Sequence, residues 1–162
     1  ALLAAGQDAL ERGEAPEALR IAHAAIQDLP QVHAVVQAMC LIEGRALARS
    51  GDATAALTAL RKAEQMSVEG GEALVRRAAA AREQGDLERG RGNREGALRH
   101  YEKVITDYFE AAAEADLCRI AAAEIHAAAG DMDLARKLLE QGADRTRMRE
   151  ARVRIESGQG NP

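Results

Sequence analysis

Four glycines set the frame of this chain. They stand in "RGEAPEAL", "SGDATAAL", "RGNREGAL" and "AGDMDLAR", at Gly13, Gly51, Gly92 and Gly130, successively 38, 41 and 38 residues apart. Each is followed by an acidic or amide residue and, five positions on, by an alanine: Ala18, Ala56, Ala97 and Ala135. A mark recurring at that spacing is the signature of a chain built by stacking one supersecondary unit. The physics of each mark is the same. Glycine reaches the left-handed conformation that closes a helix. Asp52, Asn93 and Asp131 are placed to cap the free N–H groups of the next helix and to meet its positive dipole end. Glu14 is a poorer cap, but Pro16 falls in the first turn of its helix, where proline is tolerated. Every mark therefore predicts a tight turn between two antiparallel helices, with the small alanine letting them approach.

Composition agrees. Alanine fills 37 positions, there is no Trp, one Phe and two Tyr, and the only prolines are Pro16, Pro30 and Pro162. Alanine is the best helix former, and the few β-branched residues never alternate over the length of a strand. The chain is expected to be all-α, with helices over 1–12, 16–29, 31–50, 53–67, 72–91, 94–109, 111–129, 132–142 and 145–157. The stretch "REQGDLERGRGN" holds a competing turn signal at Gly85-Asp86. A turn there would put Gly90 in the alanine slot and leave "GALRHYEKV" without a start. One helix running through Gly85 is the better reading, weakened locally because an interior glycine costs about 1 kcal/mol relative to alanine.

Further small residues follow the same period. Gly6, Gly44 and Gly85 lie seven positions before their turns, with Ala123 in the fourth unit. Ala25 and Ala63 lie twelve positions after theirs, with Val104 and Gly142 in the later units, and Pro30 closes the first pair. Tyr101 stands between Ala97 and Val104. This set resembles the tetratricopeptide repeat (TPR). The first unit carries the whole pattern: Gly6, Gly13, Ala18, Ala25 and Pro30. The aromatic expected near the start of each first helix is absent, its slots being held by Leu2, Cys40, Ala81 and Arg119. The period also exceeds the usual value of about 34, as in the long-repeat TPR arrays of bacterial regulators and motor light chains. The resemblance implies a solenoid of about four helix hairpins, over 1–30, 31–68, 70–109 and 111–143. Another hairpin solenoid or a plain helical bundle are the alternatives. Residues 144–157 read as a capping helix with an apolar stripe of Met148, Val153 and Ile155, and 158–162 as a tail or linker.

The totals exclude several classes of function. A net charge of −4 argues against a dedicated nucleic-acid binder. No apolar run approaches the roughly 18 residues of a membrane span, and the given stretch carries no signal-peptide pattern, which says nothing of a targeting segment before it. The chain starts at Ala1, without Met and already in a helical pattern, and is read as an excised piece of a longer protein. Cys40 and Cys118, 78 residues apart with no C-x-x-C, read as reduced, partly buried thiols of a cytoplasmic protein. His23, His33, His100 and His126 form no metal-ligand spacing. Gly85, Gly90 and Gly92 lack the Lys-Ser/Thr ending of a phosphate loop. Glu110 and Glu114 read as solvated i,i+4 neighbours. No cofactor, metal or catalytic set is expected.

In TPR arrays the first helix of each hairpin lines a concave groove. Carried onto this chain, the resemblance implies a groove of Leu3, Gln7 and Leu10, then Leu41, Arg45 and Arg49, then Arg82, Asp86 and Arg89, then Leu117, Ile120 and Glu124. Its four central arginines suit an acidic peptide or a C-terminal carboxylate, gripped through bidentate contacts. Solvated arginines paired with neighbouring glutamates are the competing reading. The expected function is a protein-interaction module holding a peptide or helix in that groove. The alternative is a sensory or dimerisation region of a multidomain bacterial signalling or transcription-regulatory protein, with homodimerisation through the N-terminal end as a further reading.

Overall fold

The computed structural model describes residues 1–158, and among them nine helices follow one another without a strand. They are α1 (Leu2–Glu11), α2 (Ala15–Asp28), α3 (His33–Arg49), α4 (Ala53–Gln65), α5 (Gly71–Gly90), α6 (Arg94–Asp107), α7 (Ala112–Ala128), α8 (Met132–Glu140) and α9 (Arg145–Glu156). The all-α expectation holds, and each helix ends within two residues of its expected bound. α5 runs unbroken through Gly85. Of the expected tail, residues 159–162 lie outside the described part.

The four glycine marks close their helices in one way. At Gly51 (φ +84°) the glycine N–H donates to the Ala48 carbonyl at 3.1 Å and the Asp52 N–H donates to the Leu47 carbonyl at 3.0 Å. That is the Schellman arrangement, which satisfies carbonyls the helix end leaves open. Gly13, Gly92 and Gly130 repeat it, each with positive φ. Beyond the turn, Asp52 accepts from Ala55 N–H at 3.0 Å, Asn93 from Gly96 N–H at 3.0 Å and Asp131 from Leu134 N–H at 3.1 Å. Glu14 makes no such cap, in keeping with its longer side chain.

The small residues do the packing work assigned to them. Ala18, Ala56, Ala97 and Ala135 are buried, as are Ala25, Ala63 and Val104. A Cβ built on Gly44 would come within 2.6 Å of Leu60, and one on Gly85 within 2.6 Å of the Tyr101 ring. The helices α3 and α4, and α5 and α6, therefore meet at a separation that only glycine permits.

Each helix packs on the next in sequence, and each odd-numbered helix also packs on the following odd-numbered one. The core is correspondingly divided. One apolar cluster joins α1, α2 and α3 around Ala22 and Met39; the next joins α3, α4 and α5 around Cys40 and Leu60. A third joins α5, α6 and α7 around Tyr101 and Cys118, and a fourth joins α7, α8 and α9 around Leu139 and Met148. α9 buries Met148, Ala151 and Ile155 and exposes its arginines. Val153, expected on the apolar stripe, is 63% exposed, because α9 rests on α7 and α8 along a single narrow line.

Several polar side chains buried between helices bridge one segment to another, although Gln37 Oε1 has no partner among the described residues. The Glu64 carboxylate accepts from Gln84 Nε2 at 2.7 Å and from Tyr108 Oη at 3.2 Å, and it pairs with Lys103. The Asp116 carboxylate accepts from the backbone N–H groups of Ala143 (3.0 Å) and Asp144 (2.8 Å) and from Arg119 (2.9 Å), which pins the turn before α9 onto α7. Gln37 Nε2 ties the Ala63 carbonyl at the end of α4 to the Ala73 carbonyl at the start of α5.

Candidate functional site

The odd-numbered helices carry the residues that the repeat pattern assigned to a groove. Arg45, Arg49, Arg82 and Asp86 line one cavity of about 360 Å³ between α3 and α5, together with Glu83 and the apolar Ala48, Leu60 and Leu87. Three of the four arginines assigned to the groove are paired with glutamates, as in the competing reading. Arg45 donates through Nε and Nη2 to Glu83 Oε1, at 2.8 and 2.7 Å. Arg82 donates from Nε to Glu114 Oε2 at 2.7 Å, pairs with Asp86 one turn on, and lies 3.4 Å from Glu83. Arg89 meets Glu124 Oε2 at 2.9 Å, and the other oxygen of Glu124 receives Arg154 of α9 at 3.0 Å. Arg49 has no carboxylate partner among the described residues; its Nη1 donates to the Leu10 carbonyl of α1.

Taken together these contacts form a ladder. Arg49 joins α3 to α1, Arg45 joins α3 to α5, Arg82 and Arg89 join α5 to α7, and Arg154 joins α9 to α7. Arg82 is its hub. Burial opposes its charge, but the hydrogen bond to Glu114 and the fields of Asp86, Glu114 and Glu83 outweigh that cost and raise its pKa above the ordinary value. Such pairs hold successive helices in register and leave the surface nearly balanced in charge.

The remaining predicted groove residues separate into two groups. Gln7 is exposed on α1, Asp86 is exposed on α5 and Leu117 is 38% exposed on α7. Leu3 and Ile120 are half-buried. Leu41 and Leu10, at 6% and 4% exposure, are core residues, so neither side chain is available to a ligand. Leu41 turns inward because α3 is covered by both α4 and α5 at that level. Glu114 is corrected likewise. It is not a solvated partner of Glu110 but the half-buried acceptor of Arg82, while Glu110 precedes α7.

Glu83 and Glu114 are the residues that sequence reasoning missed. Their signal is a charge opposite to an arginine about one repeat away: 38 residues from Arg45 to Glu83, 32 from Arg82 to Glu114 and 35 from Arg89 to Glu124.

Other reactive groups are turned inward. Cys40 and Cys118 are free, fully buried thiols, and burial raises both of their pKa values, which disfavours the thiolate. Tyr101 is also buried and donates to Asp86 Oδ1 at 2.8 Å; burial, then the Asp86 charge, pushes its pKa up. Among the described residues no group of three or more His, Cys, Asp or Glu side chains is placed to hold a metal ion. No described helix is long and apolar enough to cross a membrane.

No protein-family model matches this chain. No curated protein matches it in sequence either.

Proposed function

We propose that the chain is a TPR-like array of four helix hairpins, closed by α9, that binds a peptide or helix along the face of its odd-numbered helices. The observation that carries this reading is the packing order: α1, α3, α5, α7 and α9 each rest on the next, while the even-numbered helices pack only against their sequence neighbours. Stacked hairpins of that kind present one extended surface. The four local cores, each shared by three consecutive helices, support the same reading.

The ion-pair ladder changes how such a face would recognise its partner. Arg45, Arg82 and Arg89 are committed to carboxylates, so they shape the floor of the groove rather than grip an anion. The groups open to a ligand are Gln7, Arg49, Leu117 and the apolar walls Ala48 and Leu87, while Asp86 is held by Arg82 and Tyr101. A peptide of mixed polarity fits them better than a strongly acidic one.

The test uses peptides selected by display against the folded protein. Arg49→Glu combined with Leu117→Lys changes two exposed side chains of this face, on α3 and α7. Affinity for the selected peptides is expected to fall at least tenfold, corresponding to about 1.4 kcal/mol, with unfolding midpoints tracked in parallel. Unchanged affinity in a folded variant would remove the groove as the binding face.

A further inference from the structure

A second cavity, of about 300 Å³, opens between α8 and α9, away from the groove. Four guanidinium groups line it, those of Arg136, Arg145, Arg149 and Arg152, against one carboxylate, Glu140. Leu139 and Met148 lie beneath them, each 4% exposed and packed into the core of α7, α8 and α9.

The charge here is not cancelled as it is in the groove. Arg149 makes neither an ion pair nor a hydrogen bond among the described residues, and it is exposed. Arg145 donates only to the backbone carbonyl of Glu140, at 2.8 Å. Arg136 and Arg152 share one carboxylate, Glu156, each at 3.0 Å, with Asp133 a further 3.6 Å contact of Arg136. In a chain of net charge −4 this is a local surplus of positive charge. Guanidinium forks with unused donors match carboxylate oxygens.

We propose that the α8–α9 crevice docks an acidic peptide segment whose carboxylates are held by Arg145 and Arg149. Charge complementarity selects this occupant. The negative charge of the chain as a whole repels a long polyanion that extends past the crevice, whereas a short acidic segment lies within about one Debye length, roughly 8 Å, of the arginines. Neither are there aromatic side chains in the lining on which nucleic-acid bases would stack. This site lies on a different surface from the groove, and the two stand or fall separately.

The experiment is fluorescence anisotropy with a labelled oligoglutamate peptide. The same peptide with glutamine for glutamate and single-stranded oligothymidylate serve as companion probes. The acidic peptide is expected to bind with an affinity that falls as salt rises, and the glutamine peptide to bind at least tenfold more weakly. Arg145→Gln with Arg149→Glu is expected to lose at least tenfold in affinity for the acidic peptide, whereas Arg49→Gln leaves it unchanged. Arg149 has no partner to lose, so Arg149→Glu alone provides a folded variant for the same comparison. Any of three results overturns the proposal: no binding of the acidic peptide at low salt, an equal loss in Arg49→Gln, or tighter binding of oligothymidylate than of the peptide.

Discussion

Replacing Gly85 by alanine sets two physical effects against each other. Gly85 lies inside α5, where alanine is worth about 1 kcal/mol more than glycine in helix propensity. The new methyl would, however, stand 2.6 Å from Tyr101 Cε1, 2.9 Å from Tyr101 Cδ1 and 3.2 Å from His100 Cβ. Carbon atoms rest comfortably at about 3.5–4.0 Å, so the ring or the whole of α6 must yield by about 1 Å. Tyr101 is fully buried and tethered to Asp86, which leaves it no solvent-facing rotamer. Overpacking of this kind costs about 1–3 kcal/mol, and displacing the Tyr101 hydroxyl from Asp86 about 1 kcal/mol more. The net expectation for Gly85→Ala is a loss of about 1–3 kcal/mol in urea unfolding. Gly90 offers the internal comparison: it ends the same helix and nothing lies within 4 Å of its Cβ position. Gly90→Ala should stabilise by a few tenths to about 1 kcal/mol. A cycle with Tyr101→Ala, which empties the space beside Gly85, should turn Gly85→Ala neutral or favourable. If Gly85→Ala stabilises the protein as Gly90→Ala does, the close approach of α5 and α6 is refuted.

Other perturbations probe the ladder and the buried polar groups. Arg82→Met strands Glu114, while Glu83 keeps Arg45. It should cost about 1–3 kcal/mol in chemical denaturation, below the roughly 3–5 kcal/mol of a fully buried pair because the Arg82 side chain is 21% exposed. Asp116→Ala frees the N–H groups of Ala143 and Asp144, at about 1–3 kcal/mol for each left unsatisfied; hydrogen exchange should then rise in α9 before α1. Burial lowers the pKa of half-buried His100 below its ordinary value, so the unfolded chain takes up its proton first as pH falls. Stability should therefore drop as pH descends from about 6.5, and His100→Gln should remove that part of the slope in urea titrations at successive pH values.

What could be read from the sequence was local. A glycine followed by Asp or Asn specifies both the end of one helix and the cap of the next, so the turns at Gly51, Gly92 and Gly130 were legible from a few residues. The continuity of α5 followed from the same grammar, because a turn at Gly85 would have left Gly90 in the alanine slot. The ladder was not legible, because the meeting of Arg45 with Glu83 depends on how far α5 slides along α3, which no short pattern encodes. The inward turn of Leu41 has the same origin: its face is fixed by where α4 and α5 cross α3. Buried Gln37, Glu64 and Asp116 likewise bridge segments that only the packing brings together.

The central claim is that the odd-numbered helices form one continuous face that receives the partner. Amide chemical-shift mapping with a display-selected peptide tests it most directly. The account predicts perturbations running from Gln7 through Arg49 and Asp86 to Leu117, across α1, α3, α5 and α7. Perturbations confined to α2, α4, α6 and α8 would contradict it.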